Sequence, residues 1–195
     1  MWKPDVCRPV MPLAASGPDL VVSDVRRVDI ETLLEANEDE PLYQSLLREA
    51  ESLLENNPRS AVAIGATAAE AAVKALVSKL APQTSWLVQN LPSPPIFKIL
   101  DEYLPLLLPP EAPRFDVGLI KNLKTAVLLR NELIHGAKAK LESAEVTSAL
   151  ATFRDIAWLC DYFSGTAWAA NRVSQRFRAA MDLPTTVDTN GWFVD

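Results

Sequence analysis

The chain of 195 residues is long enough for one well-buried core with appendages, and too short for two full-sized domains to be the better prediction. Hydrophobic residues make up 49% of it and charged residues 23%, which excludes intrinsic disorder as a description of the whole chain. The net charge of −6 is uneven, because residues 1–57 carry twelve acidic and five basic side chains, whereas residues 58–195 carry thirteen and fourteen. Since phosphate binding depends on Lys and Arg, this balance argues against a broad nucleic-acid surface but is compatible with a local anion site.

The sequence predicts neither a secretory leader nor a membrane span. Residues 1–18 lack an apolar run behind a basic end, and no uninterrupted apolar stretch approaches the roughly 20 residues that a spanning helix needs. Cys7 and Cys160 form neither a close metal-binding pair nor a disulfide framework. We therefore expect a cytoplasmic protein with no metal site, no cofactor and no membrane partner.

The first part of the chain predicts an acidic and partly irregular arm. Residues 1–20 contain four prolines and little periodicity, which disfavours regular structure. Residues 19–28 alternate and predict either a short strand or irregular chain, and residues 29–36 can make two helical turns. The first long helix is predicted to begin with Asp39 as its N-cap and to end at Asn56-Asn57.

Asn57 is predicted to cap a second helix that has Pro58 at its first position. Residues 58–80 are apolar on nearly every side, which is typical of a central helix. Gly65 lies inside this helix, where an exposed glycine costs about 1 kcal/mol relative to alanine. We therefore interpret Gly65 as a point of close packing against a neighbouring helix.

Two proline clusters follow, at residues 81–95 and 105–113, with a shorter helix predicted between them. The next long helix is predicted from about Arg114 to Ile134, where Gly136 supplies the stop signal.

The last predicted helices follow this stop signal. Ser143 is predicted to cap a strongly amphipathic helix, whose apolar side chains recur at steps of three and four residues up to Phe163. A further helix is predicted over residues 166–181, followed by a tail with a turn at Asn190-Gly191 and an apolar anchor at Trp192-Phe193.

These elements predict an all-α protein, a bundle of four to five main helices behind an irregular acidic N-terminal extension. We divide the chain into an N-terminal arm (1–38), a helical bundle (39–165), and a C-terminal helix and tail (166–195).

The end of the helix before Gly136 carries the residues most suited to chemistry. His135 is the only histidine, so ordinary imidazole acid-base chemistry near neutral pH depends on one residue per chain. Asn131 lies one turn earlier on the same face, and only the long side chain of Arg130 can reach that face. An imidazole can transfer a proton, a guanidinium can bind phosphate oxygens, and an amide can orient the imidazole or the guanidinium. RNA phosphodiester cleavage needs these functions. Because that reaction needs both a base and an acid, a symmetric dimer is the simplest way to supply two imidazoles.

The stretch Leu-Arg-Asn-Glu-Leu-Ile-His-Gly at 129–136 resembles the signature of the HEPN (higher eukaryotes and prokaryotes nucleotide-binding) superfamily: an Arg, a polar residue and then a His after a short spacing. In the order of its predicted helices, the chain resembles this superfamily over roughly residues 39–164. The resemblance implies a metal-independent endoribonuclease of a toxin-antitoxin, antiviral or RNA-processing system, working as a homodimer with Arg130, Asn131 and His135 as catalytic residues. One branch carries a modified Tyr two residues after the His, and Ala137 occupies that position here.

The resemblance also implies a weaker catalytic candidate, Glu70, because some members have an acidic residue on an earlier helix near the motif. The alternative for Glu70 is a structural charge partner. Trp168, Arg172 and Arg176 share one stripe of the predicted last helix and form a candidate RNA-contacting surface, or else a packed Trp beneath a solvated basic face. The remaining RNA-binding candidates are the lysines that flank the motif: Lys121, Lys124, Lys138 and Lys140.

Two other functions remain open at this stage. A non-catalytic module of the same superfamily can bind a nucleotide, an antitoxin or another regulatory protein. A purely structural helical domain can use His135 and Gly136 only as a helix stop, because a cation before a C-terminal glycine also compensates the helix dipole.

Overall fold

The computed structural model of the chain describes residues 40–90, 94–138 and 140–184, all of which belong to one compact unit. These residues are mostly helical and include no β-strand, which confirms the predicted all-α class at the level of secondary structure. The predicted arm of residues 1–38, the Asp39 cap, and the tail features at Asn190-Gly191 and Trp192-Phe193 lie outside the described residues.

The first two helices begin at local signals in the sequence. Helix α1 (Leu42–Ser52) begins directly after Pro41 and ends before the predicted Asn56, because residues 53–56 form a turn. Helix α2 (Pro58–Leu80) begins as predicted, with the Asn57 side chain accepting a hydrogen bond from the backbone N–H of Ser60 at 3.2 Å. The cap satisfies one of the N–H groups that the first turn leaves without a partner.

Helix α2 is central, and Gly65 is its point of closest approach to a neighbour. A Cβ at Gly65 would lie 2.7 Å from Leu150 Cδ2 and 3.2 Å from Phe153 Cδ2, both on the later helix α6 (Ser143–Phe163). This contact confirms the interpretation of Gly65 as a packing residue. Four alanines of α2 are also fully or almost fully buried and extend the same small-residue surface: Ala61, Ala68, Ala69 and Ala72.

By length and composition alone α2 is long and apolar enough to cross a membrane, although Glu70 and Lys74 interrupt its apolar sequence. Its 18-residue window has a mean hydropathy of 1.4, and 56% of that window is buried inside the protein. Since α2 packs against α1 and α6, burial within the bundle accounts for its apolar composition.

Two short helical segments connect α2 to the next long helix. A 3₁₀ turn at Pro82–Thr84 leads into α3 (Ser85–Asn90), a helix that the proline-rich sequence did not predict. The predicted shorter helix, α4, covers residues 96–107 and continues through Pro105. Its turn at Ile99–Tyr103 is π-helical. A π turn lacks the regular i to i−4 hydrogen bonding that proline disrupts, so the helix accommodates Pro105 without ending there.

The two long helices that follow differ slightly from prediction at their beginnings. Helix α5 (Val117–Ile134) begins three residues after the predicted Arg114, because Asp116 is its N-cap and accepts from the N–H of Leu119 at 3.0 Å. The cap of α6 is Glu142 instead of the predicted Ser143. Glu142 and Glu145 form a reciprocal capping box, which satisfies N–H groups at both positions.

The predicted single helix over residues 166–181 is wrong. A 3₁₀ segment, Ala167–Arg172, is followed by two extended residues and then by the short helix α7 (Gln175–Ala180). The break has a tertiary cause, because the N–H of Ser174 donates to Oδ1 of Asp155, a buried carboxylate on α6, at 2.8 Å. Ser174 cannot make this bond and also continue a helix from the preceding turn.

Polar bonds and a buried thiol mark the last two turns of α6. The Tyr43 hydroxyl and the Gln44 amide of α1 each donate to the carboxylate of Asp161, the latter at 2.6 Å. Beside Asp161, Cys160 is the free cysteine among the described residues. Burial raises the pKa of its thiol far above the ordinary value.

We expect Gly65→Val to lower the free energy of unfolding by about 1–3 kcal/mol, because its side chain must displace Leu150 or Phe153 in a packed core. The matched control is Thr67→Val, which places the same side chain on the exposed side of α2 and should change stability by about 0.5 kcal/mol or less. Equal effects of the two variants in urea denaturation would contradict the close approach of α2 and α6.

The charge of Asp155 should make stability depend on pH. Burial raises the pKa of this carboxyl above its usual value of about 3.9, although Ser174 donates hydrogen bonds to it. As pH rises from about 4, the unfolded chain therefore loses this proton before the folded protein does, and stability falls until the folded group also ionises.

Asp155→Asn retains an acceptor oxygen without the titration. The stability of the natural chain relative to this variant should fall with rising pH across that window and then become constant, as measured by urea denaturation at a series of pH values. A difference that increases with pH would contradict the assignment. The exposed Asp101→Asn serves as the control for removing one carboxylate.

Candidate functional site

The end of α5 is a glycine-terminated stop, as predicted. Gly136 has a φ of +70°, and the N–H groups of Gly136 and Ala137 donate to the carbonyls of Leu133 (3.4 Å) and Glu132 (2.8 Å). This crossed pair is the Schellman arrangement, which satisfies the last carbonyls of a helix. The backbone therefore leaves the helix axis abruptly just after His135.

His135 is the C-cap of α5, and its side chain is exposed. Its backbone N–H donates to the carbonyl of Asn131 at 3.0 Å, which holds the residue in register with the helix. Within the described parts of the chain, the imidazole has no hydrogen-bond or ion-pair partner. It is thus accessible to a ligand on the outside of the bundle.

Arg130 and Asn131 are in direct contact. The Arg130 Nη1 group donates to Asn131 Oδ1 at 3.1 Å, and both side chains are half-buried. The guanidinium therefore points toward the helix face that Asn131 shares with His135. Because Arg130 is five residues from His135, its side chain has to bend toward this face to reach the same ligand. The contact also leaves the remaining N–H groups of the Arg130 fork as donors for an anion.

The face that carries Asn131 and His135 continues along the whole of α5. Residues at alternating steps of four and three align on one side of a helix. Val117 and Leu128 on this side are 83% and 62% exposed, so the described residues leave both apolar side chains largely uncovered. We call this set the outer face of α5: Val117, Lys121, Lys124, Leu128, Asn131 and His135.

Two of the candidate RNA-binding lysines belong to this outer face but lie far from the histidine. By helical rise, Lys124 is roughly 16 Å and Lys121 roughly 21 Å from His135 along the axis. The Lys124 ammonium lies 5.4 Å from the centre of the Phe97 ring, a cation–π contact that holds it against α4. The structure therefore brings neither lysine to the histidine end.

The other two candidate lysines are close to the motif but paired with carboxylates. Lys138 Nζ lies 2.6 Å from Glu145 Oε1, and Lys140 Nζ lies 3.2 Å from Glu142 Oε1. The hydrogen bond to Glu145 raises the pKa of Lys138, and the same bond lowers the pKa of Glu145. An RNA phosphate at Lys138 would have to compete with this carboxylate.

Arg59 is a cationic residue beside the motif that the sequence did not indicate. It lies in the first turn of α2, and its Nη2 donates to the carbonyl of Lys138 at 3.0 Å. This bond ties the beginning of α2 to the loop after His135. No pattern in the sequence could reveal it, because the contact joins two segments that are far apart in the chain.

Glu70 has a charge partner on its own helix. It forms an ion pair with Lys74 on its own helix at 3.2 Å, and it lies roughly 16 Å along α2 from Arg59. This contact corresponds to the structural alternative for Glu70.

The break at residues 173 and 174 separates Arg176 from Trp168 and Arg172. Trp168 and Arg172 lie in one 3₁₀ segment, where three residues per turn do not align positions that are four apart. Arg176 Cζ lies 5.3 Å from the centre of the Phe177 ring. Arg172 lines a separate cavity together with residues of α1 and α6. The predicted stripe is therefore wrong as a continuous surface.

A cavity of about 570 Å³ opens between α5 and α6 beside the motif. Glu132, Lys138 and Glu145 line it, whereas the three motif residues do not. In the part of the chain that the structure describes, Arg130 and Asn131 are therefore half-buried and His135 is exposed outside this cavity. Among the described residues, no group of three or more His, Cys, Asp or Glu side chains could hold a metal ion.

No family model, curated protein or solved structure matches this chain. The features of this chain that indicate a function are therefore the geometry of the motif and its resemblance to the HEPN signature.

We expect Gly136→Ala to lower the free energy of unfolding by about 1–2 kcal/mol, because alanine is strained at a φ of +70°. A Cβ there would meet no atom within 4 Å, so the cost comes from the backbone alone. Gly136→Asn is the matched control and should cost less, since asparagine adopts this conformation more readily. Chemical denaturation that finds no difference between the two variants would contradict this account of the helix stop.

Proposed function

We propose that this chain is a metal-independent endoribonuclease of HEPN type, with a HEPN-like bundle and an acidic N-terminal extension. It works in the cytoplasm as a homodimer that cleaves RNA, as a toxin or antiviral effector controlled by an antitoxin or another regulatory protein. The observation that carries the proposal is the exposed imidazole of His135 beside the bonded pair of Arg130 and Asn131 at one helix end.

The proposed reaction is transesterification within RNA. A base removes the proton of a ribose 2′-hydroxyl, whose oxygen attacks the adjacent phosphorus, and the bond from phosphorus to the 5′-oxygen of the next nucleotide breaks. An acid protonates this leaving oxygen, so the products carry a 2′,3′-cyclic phosphate and a 5′-hydroxyl. The imidazole of His135 moves the protons, and the Arg130 fork stabilises the charge on the phosphate oxygens.

A second copy of the chain supplies what one copy lacks. A single imidazole provides either the base or the acid, whereas a two-fold axis near the end of α5 places two His135 side chains in one cleft. The outer face of α5 is suited to such a contact, because Val117 and Leu128 leave apolar surface exposed along it. Ile134, next to His135, is also 51% exposed. Pairing these surfaces would bury apolar area and exclude water from the motif.

We expect the purified chain to cleave single-stranded or structured RNA in EDTA and to leave cyclic phosphate ends. His135→Ala should lower the rate by about 10²–10⁴-fold, because it removes the proton-transferring group. Thr125→Ala, an exposed change on the same helix, is the control and should retain the activity. Products are measured by gel electrophoresis and by mass spectrometry of their ends, and circular dichroism shows that each variant is folded.

Dilution of the natural chain with excess His135→Ala chain tests the composite site. If one cleft needs both imidazoles, activity per natural chain falls as mixed dimers form. Constant activity per natural chain would contradict the two-chain mechanism. Equal cleavage by His135→Ala would contradict the nuclease assignment itself. If the natural chain failed to cleave RNA at any concentration, the non-catalytic module would be the better account.

A further inference from the structure

A second anion-binding region lies away from the motif, in a cavity of about 300 Å³ between α1, α6 and the 3₁₀ segment Ala167–Arg172. Three arginines, one from each of these elements, are among the lining residues: Arg48, Arg154 and Arg172. Glu51 is the one carboxylate in the lining. The lining therefore carries a net charge of +2 (three Arg and one Glu).

The three arginines are unequally neutralised. Arg48 forms a bidentate pair with Glu40, outside the cavity lining. Arg154 Nη1 lies 3.7 Å from Glu51 Oε1, which is an ion pair but is beyond hydrogen-bond distance. Arg172 has no hydrogen-bond or ion-pair partner within the described residues. Arg172, and to a lesser degree Arg154, therefore retain hydrogen-bond donors that an anion can occupy.

The cavity also has an aromatic wall. Trp158 of α6 lines it and is half-buried, and its ring is supported by Trp168, with ring centroids 5.8 Å apart and planes inclined by 57°. An indole provides a flat apolar surface on which a planar ring can stack beside bound phosphate.

The surrounding structure fixes the backbone of the three elements that form the cavity. The Gln44 amide of the lining donates to Asp161 on α6, and Leu47 is 5% exposed. Arg172 precedes the buried Val173, and the N–H of Ser174 is bonded to Asp155. The cavity is therefore formed in the single chain and does not depend on a dimer.

We propose that this cavity binds a phosphomonoester that carries a planar ring, such as a nucleoside 5′-monophosphate. Arginine forks match phosphate oxygens in geometry and charge, and Trp158 contacts the ring. The volume is at the lower end of the roughly 300–1,000 Å³ that small-molecule sites span, which favours a mononucleotide over a dinucleotide. This site shares no residue with Arg130, Asn131 and His135, so the inference does not depend on the proposed nuclease activity.

The experiment uses the full chain and measures binding of AMP, adenosine and inorganic phosphate by isothermal titration calorimetry at low ionic strength. AMP should bind more tightly than either fragment, because only AMP contacts both the arginines and the indole. Arg172→Ala should weaken AMP binding by about tenfold or more, since it removes a charge-assisted hydrogen bond. Arg114→Ala, at an exposed arginine outside this cavity, is the matched control and should bind AMP as the natural chain does.

A parallel titration distinguishes a free nucleotide from the end of an RNA chain. RNA oligonucleotides with a 5′-phosphate should bind in an Arg172-dependent manner if the phosphomonoester is an RNA end, and their 5′-hydroxyl counterparts should not. Arg172→Lys should recover part of the affinity, because it restores the charge without the fork. Absence of binding by all phosphate-bearing probes at millimolar concentration, or equal binding by Arg172→Ala and the natural chain, would overturn the proposal.

Discussion

The close approach of α2 and α6 at Gly65 determines where the other helices can lie. With no side chain at that position, Leu150 and Phe153 pack directly on the backbone of α2, and the buried alanines of α2 extend the same shallow surface. Helices α1 and α5 pack against this pair. Because Arg59 at the beginning of α2 holds the loop that follows α5, the position of His135 depends on the α2–α6 contact as well as on its own helix.

The two candidate sites obtain their positive charge in different ways. At the end of α5, Lys138 and Lys140 form ion pairs with glutamates, so the proposed chemistry there depends on Arg130, Asn131 and His135 and not on these lysines. In the cavity beside Trp158, the proposed selection of an anion comes from the excess of arginines over carboxylates in the lining. In the proposed dimer the first site obtains its second wall from another copy, whereas the second is lined by three elements of one chain. A protein of net charge −6 can thus keep two local regions suited to anions.

Signals confined to a few neighbouring residues were sufficient to predict the beginning of α2 at Asn57-Pro58 and the end of α5 at Gly136. The position of the motif at an exposed helix end was predictable for the same reason. The errors arose where a distant group determines the local structure. Asp155 on α6 captures the N–H of Ser174 and breaks a segment whose own composition favours a continuous helix. The hydrogen bond of Arg59 and the ion pairs of Lys138 and Lys140 depend on the path of the loop that follows α5. No local sequence pattern predicts that path.

The buried thiol of Cys160 can report how often the core around α6 opens to solvent. A thiol that is 2% exposed and held in its protonated form cannot react with an alkylating reagent while α6 remains packed. In a chain that carries Cys7→Ser, each labelling event would therefore record one excursion of the core into solvent. When reclosing is fast compared with labelling, the observed rate divided by the rate for an unprotected thiol is the equilibrium constant for that excursion. Labelling of the Cys160 sulfur thus measures the free energy of opening around α6 under native conditions, without denaturant or added dye.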